Sequence, residues 1–277
     1  MSHSKDAGER GAPGPIEHSR IELGSVLVSL LEPARGNEVA FHRWYERDHF
    51  YAGCMVGPYF FAGRRYVATR DLKRLRFPSD SPVIDDIAKG SYLALYWMLA
   101  GHHAEAVEWA LSQVQWLIAN DRMLPGRTQA HAGFYQLRFS ISRDADGVPP
   151  ELALDHPFAA VVMLMIDRAD GVRASDLEAA YREEIASRLS QSPAALCLGL
   201  EPEPLPDHAP SYLLRPEGLE RRSLQLFFLE QPPAASWSSL FASQDGWLQS
   251  RGLGRVSYAA PFIPTIPGSD RYADELW

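Results

Sequence analysis

Residues 41–49 read FHRWYERDH, and residues 60–66, just past Gly57-Pro58, read FFAGRRY. The first stretch has the pattern of a helix and the second that of a strand. At roughly 100° per residue, one third of the helix circumference carries aromatic and polar side chains together, those of Phe41, Trp44, Tyr45, Asp48 and His49. A core-facing sector is normally aliphatic. An aromatic sector with polar tips is typical of a small-molecule pocket with a few convergent polar groups.

The segments that flank this helix complete a β-α-β-β-α-β order. Apolar or alternating runs predict strands over residues 20–31, 59–69, 91–99 and 129–142. The helix that carries the motif opens at Gly36-Asn37 and ends at Gly57-Pro58, and a second amphipathic helix is predicted over residues 102–120. This is the order of a ferredoxin-like unit.

The second half of the chain repeats the order. Its predicted strands cover residues 158–166, 195–200, 223–229 and 255–260, and its predicted helices cover residues 175–189, capped by Ser175, and 234–250. The chain therefore divides into a disordered leader (1–19), a first ferredoxin-like unit that carries the motif (20–144) and a second unit with a Pro-rich C-terminal tail (155–277).

Each ferredoxin-like sheet has helices on one face and leaves the other face bare. Because large exposed apolar patches are rare on soluble proteins, the two bare faces must cover each other, either by packing face to face or by closing into a barrel. We therefore expect an α+β fold in which two tandem units form an intrachain pseudo-dimeric α/β barrel.

Composition narrows the range of partners. The net charge of −8 and the lack of a Lys/Arg-rich block argue against nucleic acid. No apolar run approaches the roughly 20 residues that span a membrane, and the N-terminus lacks the apolar core of a secretory signal. Cys54 and Cys197 are too few for a disulfide scaffold, so a cytoplasmic location is expected.

The two stretches together resemble the dimeric α/β-barrel superfamily, particularly its EthD-like and polyketide-cyclase-like branches. The resemblance carries the family histidine onto His49, the aromatic pair onto Trp44 and Tyr45, and the strand Arg-Tyr onto Arg65 and Tyr66. It implies a barrel lumen that binds small aromatic or polyketide-like molecules. Members catalyse cyclisation, decarboxylation, dehydration or cofactor-free oxygenation, and a minority bind haem.

The chain departs from the family pattern in two places. Phe50 and Tyr51 follow the histidine where the family usually has a short residue and a proline. The corresponding helix of the second half carries no histidine, so we expect one half with a site and one structural half.

The predicted catalytic residues are His49, Arg65, Tyr45 and Tyr66. An imidazole titrates near pH 6.5, which suits proton transfer at neutral pH. The alternative for His49 is a helix C-terminal histidine that satisfies free carbonyls. Arg64 and Arg65 point to opposite sides of their strand, and whichever is buried must be paired, either with a substrate carboxylate or phenolate or with a structural acid.

A wider set of residues is predicted to bind substrate: His42, Trp44, Arg64, Tyr92, Tyr96, His131 and Tyr135. Tyr92 and Tyr96 share one face of their strand, and the aliphatic side chains on the other face suit a helix layer, so the tyrosines are expected in the lumen. His131 and Tyr135 likewise share a face of the fourth predicted strand.

No cofactor or metal is expected. The sequence has no HExxH, His-x-His or paired cysteines, and no GxGxxG, GxSxG or P-loop pattern. A haem would need a proximal histidine in an apolar lumen, for which His49 or His131 could serve, but the polar-tipped walls disfavour it.

Three functional classes stay open. The favoured one is a cofactor-independent lyase or cyclase of secondary metabolism, acting by proton transfer on an aromatic or polyketide-like substrate. The alternatives are a cofactor-free or haem-dependent monooxygenase and a non-catalytic binding barrel. The expected partners are the small-molecule substrate and, in a homodimer of pseudo-dimers, a second copy of the chain.

Overall fold

The computed structural model describes residues 21–210 and 217–277. The predicted leader lies outside these residues. Eight strands are present: β1 (Leu23–Pro33), β2 (Phe60–Val67), β3 (Tyr92–Leu99), β4 (Arg127–Ser142), β5 (Ala160–Arg168), β6 (Ala194–Glu203), β7 (Arg222–Leu229) and β8 (Gly254–Pro264). The α-helices are α1 (Glu38–Trp44), α2 (Arg70–Lys73), α3 (His103–Ala119), α4 (Ala174–Leu189) and α5 (Ser243–Ser250).

The strands form one antiparallel sheet in the order β1-β3-β2-β8-β5-β7-β6-β4, and β4 returns to pair with β1, which closes a barrel. Within residues 23–142 the strand order is β4-β1-β3-β2, and within residues 160–264 it is β8-β5-β7-β6. The two halves meet along β4–β6 and along a short β2–β8 pairing of two residue pairs.

The inside of the barrel is packed with side chains. One hydrophobic cluster takes buried residues from all eight strands, for example Val26, Tyr66, Leu95, Tyr135, Met163, Leu198, Leu226 and Ala260. Because side chains alternate along a strand, the residues between these face outward, toward the helices. The lumen is therefore a solid core and not a chamber.

The outer faces of the two halves differ. In the second half, α4 and α5 cover a sheet face with apolar residues such as Val162 and Phe227, and Tyr181 of α4 donates to Gln244 of α5 at 2.7 Å. In the first half, α1 and α3 cover a face rich in tyrosine, including Tyr45, Tyr92 and Tyr96. The buried Tyr181 and Gln244 side chains bond to each other, whereas in the first half His49 and two tyrosines line a cavity, so the first half carries the candidate site.

The helix predicted for the motif is α-helical at its start and π-helical further along. After α1 the chain continues as two π-helical segments, Tyr45–His49 and Tyr51–Met55. We call residues 38–55 the histidine helix. A π-helix is rare, and single turns of it are frequent at functional sites. Its wider turn places Tyr45, His49 and Gly53 on one side of the helix, where all three line the same cavity.

The C-terminal tail, residues 265–277, lies on the helix layer of the first half. The Ser269 carbonyl lies 2.8 Å from Nε2 of His42, and Asp270 pairs with Arg43. Trp277 donates from its indole nitrogen to Glu38 at 2.5 Å. The tail therefore braces the histidine helix on the side away from the cavity.

No helix among the described residues has both the length and the apolarity needed to cross a lipid bilayer.

Candidate active site

A cavity of about 120 Å³ lies between the sheet and the helices of the first half. Its walls come from the histidine helix, α3, β1, β3 and β4, and the residues that bear on the chemistry are Ser29, Tyr45, His49, Gly53, Tyr96 and Gln129. A cavity of roughly 150 Å³ holds a benzene molecule. At about 120 Å³ this cavity is slightly smaller, so it limits a ligand to one aromatic ring at most.

The imidazole of His49 is held by rings on two sides. It stacks on the Trp44 indole, with ring centroids 4.6 Å apart and an interplanar angle of 19°, and the Tyr45 ring meets it edge-on at 5.0 Å. The Trp44 indole nitrogen donates to the Arg122 carbonyl at 2.9 Å, which fixes the stack. A Cβ on Gly53 would sit 3.4 Å from the His49 ring, so a small residue suits that position.

The charge state of His49 is set by burial. Burial, together with the nearby cation of Arg127, lowers the pKa of His49 to about 4. Its Nδ1 is buried and has no hydrogen-bond partner. The imidazole is therefore neutral at pH 7 and offers a nitrogen that can accept a hydrogen bond or a proton. The adjacent Asp48 pairs with Arg122 and does not orient the ring.

Two tyrosine hydroxyls meet at the cavity wall. The hydroxyls of Tyr45 and Tyr96 are 3.0 Å apart, and both residues are buried. Burial raises the pKa of Tyr45 to about 12 and the pKa of Tyr96 well above its usual value. Both therefore stay protonated at neutral pH and can donate a hydrogen bond.

Two arginines lie close to His49 without an acidic partner. Among the described residues neither Arg65 nor Arg127 has a carboxylate within 4 Å. By contrast, Arg43, Lys73 and Arg122 each pair with a carboxylate. Arg127 lies over the Trp44 ring at 5.1 Å, and Arg65 lies over the Tyr45 ring at 4.7 Å. The site thus carries positive charge without a protein counter-ion.

The expected orientation of Tyr92 and Tyr96 is wrong. Both face the helix layer, and Leu93, Leu95 and Trp97 fill the lumen. In β3 the aliphatic side chains and Trp97 join the packed core of the lumen, so the tyrosine face of this strand lies outside the barrel. Tyr96 lines the cavity, whereas Tyr92 lies beside Arg65 and leaves its hydroxyl without a partner.

Four other predicted site residues lie apart from His49. Tyr66 is buried in the lumen cluster, on the opposite face of β2 from Arg65. His131 and Tyr135 do share a face, with Nε2 of His131 2.8 Å from the Tyr135 hydroxyl, but in the lumen. Arg64 donates to the carbonyls of Leu154 and His156, in the connection between the two halves. The placement of these residues at one site in a lumen is therefore wrong.

His42 is also turned away from the cavity. Its ring contacts the tail carbonyl of Ser269 and lies 3.4 Å from a Glu46 carboxylate oxygen. Arg127, Gly53 and Gln129 belong to the site region but were missed by the sequence analysis. Gly53 could have been predicted, because it lies four residues, or about one helical turn, after His49. No feature of the sequence around Arg127 predicts that this residue reaches the site.

Comparison with known proteins gives structural matches only. No family model matches the chain, and no curated protein matches it. An anthrone oxidase-like protein is 10% identical, with a TM-score of 0.52 over 90% of this chain and 95% of that chain. A candidate chlorite dismutase is 11% identical, with a TM-score of 0.52 over 92% of this chain and 100% of that chain.

A weaker match is a haem-bound variant of DypB from Rhodococcus jostii RHA1, 9% identical, with a TM-score of 0.45 over 92% of this chain and 95% of that chain. The fold is that of the ferredoxin-like dimeric α/β-barrel proteins. The predicted lyase or cyclase activity is wrong, because the matched structures with a TM-score above 0.5 are described as oxidase-like and as a chlorite dismutase. The link to secondary metabolism rested on that activity and is withdrawn with it.

The described residues do not fit a haem. A haem needs an axial ligand facing an open slot, whereas His49 is covered by Trp44 and its cavity of about 120 Å³ is below the roughly 300–1,000 Å³ of ordinary ligand pockets. His131 is bonded to Tyr135 inside the packed lumen. No cluster of three or more His, Cys, Asp or Glu side chains in the described ranges could hold a metal ion.

Proposed function

We propose that this protein is an enzyme that oxidises a small aromatic substrate with dioxygen, without a haem, in the cavity beside His49. The observation that carries the proposal is the neutral His49 imidazole, whose buried Nδ1 lacks a partner, on the wall of a cavity sized for one aromatic ring. The fold it shares with an anthrone oxidase-like protein supports the same reaction class.

The chemistry needs no bound cofactor when the substrate itself supplies the electrons. An aromatic compound with an acidic methylene group loses a proton to give a carbanion, which is the electron-rich species that reacts with dioxygen. The methylene carbon becomes a carbonyl, one oxygen atom enters the product and the other leaves as water, so that CH₂ + O₂ gives C=O + H₂O. The four electrons that reduce dioxygen all come from the substrate.

His49 would take the substrate proton. An imidazole with a pKa of about 4 is a weak base on its own. An anion formed beside it raises that pKa, because the product of proton transfer is an ion pair and not an isolated imidazolium. The stack on Trp44 holds the ring in one orientation, so less rotational entropy is lost when the reactive geometry forms.

The developing anion would be stabilised by groups that are already oriented. The positive charge of Arg127 lies near the cavity without a carboxylate partner, and the Tyr45–Tyr96 hydroxyl pair can donate to an enolate oxygen. In a water-poor site such fixed charges and donors act strongly, because they need no rearrangement as the charge develops.

We also infer that the barrel is a tandem duplication of one ferredoxin-like unit. The two halves have equivalent strand orders, β4-β1-β3-β2 and β8-β5-β7-β6, which supports this origin. Assignment to the EthD-like branch rests on the motif FHRWYERDH, the Gly57-Pro58 turn and the strand FFAGRRY. A homodimer and a cytoplasmic location remain proposals from the sequence.

Oxygen uptake tests the proposed reaction. The chain, purified without added haem, is given one-ring aromatic compounds with an acidic methylene group under an oxygen electrode, with ¹⁸O₂ in a parallel sample. We expect substrate-dependent uptake and one labelled oxygen atom in the product. Uptake that needs added haem, or substrate conversion under argon, would count against the proposal.

A further inference from the structure

A second cavity, of about 310 Å³, opens beside the histidine helix and shares no lining residue with the His49 cavity. Its walls come from the histidine helix, β2, the connection between the halves and the start of the tail. The side chains that line it include those of Glu46, Phe50, Tyr51, Arg64 and Arg65. At this volume the cavity lies at the lower end of ordinary small-molecule sites.

Arg65 on the wall of this cavity is a buried cation with no counter-ion. The residue is 6% exposed, and its Nη1 donates to the His42 carbonyl at 3.2 Å. Its Nη2 is buried and has no hydrogen-bond partner, and no carboxylate of the described ranges lies within 4 Å. Burying a charge without a partner is costly, so such a group points to a counter-ion that binds from outside the chain.

The carboxylates that line this cavity, those of Glu46 and Asp155, form no ion pair with Arg65 within 4 Å, and Asp155 is exposed. Glu46 also lines the cavity, but its carboxylate accepts from the Gly268 backbone N–H at 2.9 Å and lies 3.4 Å from Nε2 of His42. Arg64 donates to the carbonyls of Leu154 and His156, so its charge holds the cavity wall in place. The free donor on this wall is therefore Nη2 of Arg65.

We propose that this second cavity binds a small aromatic carboxylate, whose anionic group pairs with Arg65. A guanidinium recognises a carboxylate through parallel N–H···O bonds. The aromatic side chains of Phe50 and Tyr51 line the same cavity. The site is separate from the cavity in which the oxidation is proposed, and its existence does not depend on that reaction.

Binding of benzoate to the full chain, measured by titration calorimetry, tests the proposal. Arg65→Gln should weaken the benzoate Kd by about tenfold or more, which is the scale of a lost hydrogen bond to a charged group. Glu46→Gln removes a nearby negative charge but keeps an acceptor for Gly268, so it should tighten binding severalfold. This opposite sign separates recognition of an anion from a general loss of structure.

Two controls locate the site. Arg43→Gln removes an exposed cation that pairs with Asp270 and should leave the benzoate Kd unchanged. Arg127→Gln changes the surroundings of His49. The Arg127→Gln protein should therefore still bind benzoate at the site that Arg65→Gln removes. If Arg65→Gln fails to fold, Glu46→Gln decides alone. No saturable binding, no tightening in Glu46→Gln, or a loss that follows Arg127 and not Arg65 overturns the proposal.

Discussion

The imidazole of His49 lies against the indole of Trp44 with their centroids 4.6 Å apart and their planes 19° from parallel. The stack is fixed at its far end by the hydrogen bond from the indole nitrogen to the Arg122 carbonyl. It leaves the imidazole one orientation toward the cavity, although no hydrogen bond to Nδ1 holds it there. Aromatic packing thus orients the proposed base.

Trp44→Leu should therefore lower kcat by about tenfold or more, because the imidazole is no longer held in one position. Loss of the ring stack should also cost about 1 kcal/mol of unfolding free energy. Trp44→Phe keeps a ring against His49 and serves as the control, with a kcat close to that of the unmodified protein. Steady-state kinetics and urea unfolding measure the two effects. Equal kcat values for the Leu and Phe variants would show that the stack does not position the base.

The activity should depend on pH through His49. Because its pKa is about 4, the imidazole is neutral and able to accept a proton above that pH. We expect kcat/KM to be level near neutrality and to fall as the pH drops through about 4, since kcat/KM reports the ionisation of the free enzyme. Arg127→Gln removes a cation that lowers this pKa, so the acid limb should move to higher pH. An acid limb that stays in place in this variant would exclude Arg127 as a neighbour of the base.

His131 should make stability depend on pH. Burial lowers its pKa to about 4, whereas in the unfolded chain it titrates near the ordinary value of 6.5. The unfolded state therefore binds more protons between these pH values, and stability that is present above pH 6.5 is lost as the pH falls toward 4. Between pH 7 and pH 5 this amounts to about 2 kcal/mol. Urea unfolding at both pH values should show a smaller difference for His131→Gln than for the unmodified protein. An unchanged difference would mean that His131 does not titrate in this window.

Glu32 and Lys73 form a buried ion pair with an N···O distance of 3.6 Å near the tail. Burial lowers the pKa of Lys73 to about 8, and the Glu32 carboxylate opposes this shift. Glu32→Gln leaves the buried ammonium without its carboxylate, although its hydrogen bond to the Leu276 carbonyl remains, so it should destabilise the protein by about 3 kcal/mol. The double variant Glu32→Gln/Lys73→Met should recover part of that loss in urea unfolding. No recovery would indicate that the hydrogen bonds from Ser91 to Glu32 matter more than the charge pair.

The order of strands and helices could be predicted because it depends on local patterns. Each predicted strand is present with its ends shifted by a few residues, and so is the helix that became α3. The predicted helix over residues 234–250 is α-helical only over Ser243–Ser250, after a 3₁₀ turn (Pro233–Ser236) and a π-helical segment (Trp237–Ala242). The prediction that Ser175 caps α4 is wrong. Arg173 is the N-cap, and the Asp176 carboxylate accepts a hydrogen bond from the Arg173 backbone N–H. Caps depend on side-chain geometry that the pattern does not carry.

The same patterns could not predict which side chains of a strand point into the lumen and which point toward the helices. In β3 both faces are buried, so alternation cannot tell the lumen from the helix layer. The motif correctly brought Trp44, Tyr45 and His49 together because they lie on one helix. Arg127 and Gln129 reach the same region through the pairing of β4 with β1, a contact between residues about 100 positions apart in the chain.

The most direct test of the account is oxygen uptake by unmodified and His49→Ala protein, with the visible spectrum of each sample recorded. We expect no stoichiometric haem band, substrate-dependent uptake by the unmodified protein, and a rate about 10²-fold lower in the variant with little change in thermal stability. A haem band in stoichiometric amount, or full uptake by a folded His49→Ala protein, would contradict it.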